Sequence, residues 1–352
     1  MSAELVDWDL ARRIATLGLG HGGGAMASAP DLAGSGSRAV TAVRSYTGLE
    51  PSEPLPVPEW VSRREWVDAN LASVRDLTDA ISERIGGPPG PPPLRAIAAR
   101  VLAAEIGALL AFAARHVLGQ YEFPLLGGDR APRLLFLGEN IDAAAVQLGA
   151  DPRELLEWIA LHETTHAIQF ASAPWMRGYV GGLVRTLLSD SPAGFSAGEI
   201  LDRARRLATS DPRRILAEVR ASDPVSLLAP AESVETINDV QAVMASIEGY
   251  AEHVMDAAGD DLGPAVAAMR DRLDHRRRNR SLPVRIMSWL FGFDLKLRQY
   301  EQGKRFCDAV VAEAGIDGLN AAWAGPSELP ALDELGDPRR WAARVLPAAA
   351  AA

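Results

Sequence analysis

The pattern H-E-x-x-H at residues 162–166 constrains this chain more than any other feature of its sequence. Residues four positions apart on an α-helix lie one above the other, so His162 and His166 can offer two imidazole nitrogens to one Zn²⁺. Glu163 then lies beside the metal, where a carboxylate can accept a proton from a water bound to zinc. The pattern therefore predicts a metal site with Glu163 as its general base.

The residues before the pattern indicate the start of a helix. Asp151 suits the N-cap, Pro152 the first helical position and Glu154 the third, and we expect the helix to run to about Phe170. At about 100° per residue the motif lies on an apolar side of this helix. That side carries Leu155, Ile159 and Phe170, and the opposite side carries Arg153, Glu157, Thr164 and Ile168. Burying two imidazoles and a carboxylate without partners is costly. A metal ion is therefore favoured over the alternative of two hydrogen-bonded core histidines and a capped carboxylate.

A third ligand is expected from outside the motif. A catalytic zinc usually has three protein ligands and one open position, and positions 169 and 172, where an extended motif would continue, hold Gln and Ser. A second amphipathic helix is predicted from about Glu235 to Ala258. Its apolar residues recur at intervals of three and four: Ile237, Val240, Met244, Ile247, Ala251, Val254 and Met255.

Three acids lie on the C-terminal half of that second helix. Glu248 is closest in helical angle to the apolar stripe, so we expect it to be the third ligand. Glu252 or Asp256 could accept the other ring N–H of a ligand histidine. The alternative for these two acids is a solvated helix edge.

These segments together resemble the zincin-like family of metallohydrolases that is found mainly in actinobacteria, one branch of which is labelled as associated with coenzyme F420 biosynthesis. The residues that carry the resemblance lie at 6–8, 118–124, 161–170, 174–177, 248–256, 296–300, 303–306, 323–326 and 337–341. The resemblance implies a mainly α-helical protein with a zincin-like metallopeptidase core, a small β-sheet and a helical N-terminal domain. It also implies zinc held by His162, His166 and Glu248, with Glu163 as base. We place the helical N-terminal domain at 1–125 and the catalytic domain at 126–352.

The rest of the chain predicts further elements. The best strand candidate is Arg133–Leu137, which would suit the small sheet. Helices are expected at Leu5–Leu17, Arg64–Ile85 and Arg95–Leu118, and short helices at 188–232. Residues 18–37 are rich in glycine and are expected to have little order, and residues 51–58 read as an extended connector with four prolines.

Composition limits the partners of the chain. Its 352 residues carry a net charge of −10, which argues against general nucleic-acid binding. Cys307 is the single cysteine, which excludes a secreted protein held by intrachain disulfides.

Charged residues interrupt the N-terminal segment, so no signal peptide is expected. The most apolar run, Val101–Ala114, contains Glu105 and is too short to span a bilayer, so it is expected to be a buried helix. We therefore expect a cytoplasmic protein without a membrane partner.

The leading hypothesis is a zinc-dependent hydrolase, and specifically a metallopeptidase that cleaves amide bonds in a peptide or small amide substrate. Glu163 would take the proton of the water and pass it to the leaving amine. Tyr250, His253 and Tyr300 are candidates to stabilise the oxyanion, with ordinary packing as the alternative for each. A second hypothesis is a zinc-binding scaffold that catalyses no reaction and whose site is closed by a fourth protein ligand. A third is a hydrolase of non-peptide amides or esters.

Overall fold

The computed structural model describes residues 5–19, 31–85, 91–124, 130–190, 234–259 and 293–346, with isolated residues between 262 and 269. Within these ranges the chain is mainly α-helical and has one three-stranded sheet, which confirms the predicted fold class. The helices are α1 (Trp8–Leu17), α2 (Leu32–Thr47), α3 (Arg63–Ile85), α4 (Pro92–Ala114), α5 (Gly138–Leu148), α6 (Pro152–Ser172), α7 (Trp175–Asp190), α8 (Val234–Gly259), α9 (Phe293–Asn320) and α10 (Pro338–Val345). The strands are β1 (Pro58–Val61), β2 (Gly119–Glu122) and β3 (Arg133–Leu137).

Strand β3 is the centre of the sheet, as its continuous apolar sequence requires. The strand order is β1-β3-β2, with β1 parallel and β2 antiparallel to β3. Leu134 and Phe136 join a large core with α6 and α8, whereas Leu135 and Leu137 join a smaller core with α1, α3 and α4. A strand covered on both faces has no polar side to alternate with its apolar one. The sheet therefore separates two hydrophobic cores.

Helix α6 forms as its sequence predicts. The side chain of Asp151 accepts a hydrogen bond from the backbone N–H of Arg153 and caps the helix, and Pro152 occupies the first turn. The expected two-sided pattern is wrong in the second half of the helix, because Thr164 and Ile168 are as buried as the motif. Neighbouring helices and strand β2 surround α6 here, so the motif lies in the interior of the molecule.

Helix α8 is the second helix that the apolar spacing predicts, and it packs against both α6 and α9. Its crossing with α9 brings two glycines together. A Cβ atom on Gly249 would lie 2.2 Å from the carbonyl carbon of Gly303, and one on Gly303 would lie 1.9 Å from the carbonyl oxygen of Ala245. Only glycine permits this approach. The close crossing fixes the part of α8 that carries Glu248.

Two expectations about the first part of the chain are wrong. Residues 32–37 belong to helix α2 and are not a loose segment. The apolar helix expected at Arg95–Leu118 is α4, which begins at Pro92 and ends at Ala114. It is not buried throughout, because only one face of its second half is buried and Leu94, Ile97 and Val101 are exposed. Within the described ranges, α4 is the one helix that is long and apolar enough to span a membrane by length and composition, and 22% of its most apolar stretch is buried.

The predicted domain boundary at 125 stays a prediction. Strands from both sides of that position pair in one sheet, and α2 packs on α6. The short helices predicted at 188–232 fall almost wholly outside the described residues.

Candidate metal centre

Helix α6 places the three motif side chains at the interface with α8. His166 and Glu163 are buried, and His162 is partly exposed. Glu163 Oε2 accepts a hydrogen bond of 2.8 Å from the backbone N–H of Tyr121 in β2. The motif therefore lies between a helix on one side and the edge of the sheet on the other.

Helix α8 brings Glu248 to the two histidines, as its helical position predicts. The Nε2 atoms of His162 and His166 lie 3.2 Å apart, and each is 3.7 Å from Oε2 of Glu248. One ligand atom from each residue lies within 4.8 Å of the other two. The structure thus gathers the three predicted ligands, which come from two helices that are far apart in sequence.

The geometry of these three atoms fits a zinc ion. Ligands about 2.0–2.2 Å from zinc at tetrahedral angles lie about 3.3–3.6 Å from one another. The three measured separations of 3.2, 3.7 and 3.7 Å are close to that range. Two imidazole nitrogens and one carboxylate oxygen are also donors that zinc accepts readily. The described residues therefore provide donor atoms for three of the four positions of a tetrahedral site.

Burial and charge shift the proton affinities of the site. Burial raises the pKa of Glu163 to about 7, although the nearby His166 and the Tyr121 N–H oppose that change and Glu248 adds to it. Burial lowers the pKa of His166, but the carboxylates of Glu248 and Glu163 outweigh it, so the net pKa is raised. Such a site favours binding a cation, because a cation neutralises its two carboxylates.

Gly119 of strand β2 leaves space for the side chain of Glu163. A Cβ atom on Gly119 would lie 2.7 Å from Cγ of Glu163 and 2.8 Å from Cγ2 of Ile159. A larger residue at this position would force the side chain of Glu163 or Ile159 to shift. Sequence reasoning missed Gly119 and Tyr121, because strand β2 was not predicted.

Comparison with known proteins agrees with this geometry. A model of the zincin-like metallopeptidase family matches residues 6–342. The chain belongs to that family. It is also similar to a crystal structure from Chloroflexus aurantiacus described as "a putative hydrolase with a novel fold", with 29% identity and a TM-score of 0.67 over 97% of this chain and 98% of the other. No curated protein matches the chain.

One contact around the three predicted ligands was not expected from the sequence, and the role of Glu252 or Asp256 as partner of a ligand histidine stays a prediction. Nδ1 of His162 lies 3.0 Å from Sδ of Met255, and the ring of His162 is parallel to that of Trp158. Asp256, a predicted partner for a ligand histidine, forms an ion pair of 2.9 Å with Lys304. Glu252, the other predicted partner, is buried. The apolar spacing of α8 already placed Met255 on the inner face, which is the signal that could have found it.

The oxyanion candidates have other contacts. The Tyr250 hydroxyl is buried and donates to Oδ1 of Asn320. His253 has both ring nitrogens engaged, one with the Tyr46 hydroxyl and one with Asp308, each at 2.7 Å. The side chain of the third candidate, Tyr300, lies outside the described residues. The first two side chains are therefore engaged in hydrogen bonds with neighbouring helices, and their oxyanion role stays a prediction.

Proposed function

We propose that this chain is a zinc-dependent hydrolase, and specifically a peptidase that cleaves amide bonds. The observation that carries the proposal is the convergence of His162, His166 and Glu248 on one point, with the buried carboxylate of Glu163 beside them. Membership of the zincin-like metallopeptidase family supports a metal-dependent hydrolase. The substrate that we propose is a peptide or a small amide. The link to the branch associated with coenzyme F420 stays a prediction.

Each residue has a distinct task in this proposal. The two imidazoles and Glu248 would hold the ion, which supplies Lewis-acid polarisation of a carbonyl and acidification of water. Glu163 would accept the proton of the attacking water and deliver it to the leaving nitrogen. Without a bound ion, burial raises the pKa of Glu163 to about 7, and a cation beside it would lower that pKa, so the carboxylate would be ionised and able to accept a proton at neutral pH.

The contacts of Glu163 suit this proton transfer. The Tyr121 N–H binds Oε2 and fixes the plane of the carboxylate, so Oε1 is the oxygen that we propose takes up the proton. Because Gly119 has no side chain, the carboxylate has room to adopt that orientation. Burial keeps bulk water from the Glu163 carboxylate, which strengthens its electrostatic effect on a bound substrate.

The number of ligands favours an enzyme over a closed structural site. Structural zinc is normally held by four protein ligands, whereas catalytic zinc keeps one position for water or substrate. Among the residues that the structure describes, three donor side chains gather at the site. These three residues would hold a tetrahedral ion and would leave a fourth position for water or substrate.

The test is the variant Glu163→Gln in a screen of peptide and amide substrates. We expect it to retain zinc, because Glu163 is not a ligand, and to lose at least about 10²-fold in turnover, because general base catalysis contributes roughly that much. Glu154→Gln, near the start of the same helix, is the matched control and should keep full activity. A chelator should abolish activity in the wild type and in the control. Normal turnover by Glu163→Gln would contradict the proposed mechanism.

A further inference from the structure

The second ring nitrogens of the two histidines have unusual surroundings. Each Nε2 atom faces Glu248, so each Nδ1 atom points away from the proposed ion. Nδ1 of His162 faces the thioether of Met255 at 3.0 Å. Nδ1 of His166 is fully buried and, among the described residues, has no hydrogen-bond partner of standard geometry. A buried N–H of this kind normally has an acceptor.

Gln169 lies one helical turn beyond His166 on the same helix. Its side chain is 0% exposed, and neither its amide oxygen nor its amide nitrogen has a hydrogen-bond partner of standard geometry in the described part of the chain. Residues three apart on a helix are neighbours on its surface. The Nδ1 atom of His166 and the amide group of Gln169 are thus buried next to each other, on the side of His166 that faces away from the proposed ion.

The side chain of Gln169 interacts with the ring of His166. The two groups are therefore close enough to interact, although they fall short of a well-formed hydrogen bond.

We propose that Gln169 is a positioning residue of the metal centre, whose amide oxygen accepts the Nδ1–H of His166 when Nε2 binds the ion. This inference rests on the proposed zinc site. The hydrogen bond selects the tautomer with its lone pair on Nε2 and fixes the orientation of the ring. Met255 has the corresponding place behind His162, where its sulfur is a weak acceptor.

The proposal assigns an uncharged partner to the Nδ1 atom of His166. A carboxylate behind a ligand histidine raises the basicity of that ligand, whereas an amide or a thioether does so less. The ion would then be balanced by Glu248 and Glu163, without a further acid behind His166. Replacing the amide of Gln169 by a carboxylate should consequently strengthen metal binding.

The experiment compares Gln169→Leu and Gln169→Glu with the wild type. Affinity for Zn²⁺ and Co²⁺ is measured by competition with a chelator, and the thermal stability of the metal-free protein is measured separately. We expect Gln169→Leu to bind the ions about 10–100-fold more weakly, while the metal-free protein is as stable as the wild type or more so, because two unpaired buried atoms are removed. Gln169→Glu should show the reverse pair of changes, tighter binding and a less stable metal-free protein.

The matched control is Thr164→Val. Thr164 is in the same helix, is as deeply buried, and also has a hydroxyl oxygen without a partner of standard geometry among the described residues. This nearly isosteric change should leave the metal affinity unchanged. The visible spectrum of the Co²⁺ protein should change in both Gln169 variants and stay the same in Thr164→Val, because it reports the geometry of the ligands.

The outcomes separate the two proposals. If the wild type binds neither ion, both the metal centre and the role of Gln169 are wrong. If the wild type binds and Gln169→Leu binds equally well, the metal centre stands and the inference about Gln169 is overturned. Should Gln169→Leu fail to fold, Gln169→Glu decides alone, and an unchanged or weaker affinity in that variant overturns the inference.

Discussion

At the scale of a single residue, the position of Glu163 and the charge of its carboxylate make opposite requirements. It must be buried to lie beside the proposed ion, yet a buried carboxylate loses the hydration that stabilises its charge. Burial raises its pKa to about 7 from an ordinary value of 4.5. In the metal-free protein, the folded chain therefore keeps a proton that the unfolded chain releases between about pH 4.5 and 7. The resulting stability is complete below pH 4.5 and is lost as the pH rises through 7.

This shift makes a prediction about the metal-free protein. Glu163→Gln should be more stable than the wild type at pH 8 by roughly 1–3 kcal/mol, because the amide cannot ionise, and the difference should shrink towards zero as the pH falls to about 4.5. Denaturant unfolding of both proteins across this pH range measures the difference. Glu301→Gln, a change at an exposed position, should show no such trend. A difference that stays constant from pH 5 to 8 contradicts the prediction.

Residues of the site could be predicted where a local pattern fixes them. The spacing of the motif and the helical angle of Glu248 need only the regularity of an α-helix. The roles of Tyr121 and Gly119 depend on how β2 lies against α6, and no local pattern reports that contact. Likewise, the surroundings of Gln169 follow from burial on every side of α6, which the amphipathic pattern did not indicate.

At the scale of elements, the position of Glu248 depends on how α8 crosses α9. The two helices approach closely at Gly249 and Gly303, where a methyl group on either residue would overlap backbone atoms of the other helix. Glu248 is the neighbour of Gly249, so a change in the crossing moves the ligand directly.

Gly303→Ala should therefore weaken both the fold and the metal site. We expect a loss of about 1–3 kcal/mol in the free energy of unfolding, as is usual for overpacking, together with weaker zinc binding. Gly178→Ala is the control, because a Cβ atom at that helical position of α7 meets nothing within 4 Å. That change should stabilise the protein by about 0.5–1 kcal/mol and leave zinc binding unchanged. Unaltered zinc affinity in Gly303→Ala would show that the crossing does not position Glu248.

Elements with strong periodicity were predictable, whereas α2 was not. Its sequence has two glycines and three serines, which disfavour an isolated helix. Tertiary contacts outweigh that preference. Ser35 donates to Glu157 of α6 at 2.8 Å, and Gly36 allows Pro58 of β1 to approach. The glycines and serines that made α2 hard to predict from the sequence are thus the residues that let it pack closely.

At the scale of the molecule, the proposed ion would join α6 to α8 across the larger core. A ligand that binds only the folded state stabilises it in proportion to the logarithm of its concentration. Because the three ligand atoms come from two helices, unfolding either helix would destroy the site. Metal binding and global stability should therefore be coupled.

Zinc should raise the melting temperature of the protein. At a free concentration about 100 times the dissociation constant, the expected stabilisation is about 2.7 kcal/mol, and calorimetry with and without zinc measures it. Glu248→Gln should lose most of this response, whereas Glu313→Gln, in an exposed ion pair with Arg339, should keep it. An equal response in the wild type and in Glu248→Gln would place the zinc elsewhere.

The order of the ligands along the chain has a consequence for biosynthesis. A ribosome releases both histidines of α6 well before it adds residue 248. A nascent polypeptide therefore offers only a pair of imidazoles, an incomplete chelate, until α8 has emerged and docked. Loading of the proposed ion would then be a late maturation step, which could take place only in a protein whose two distant segments have already come together.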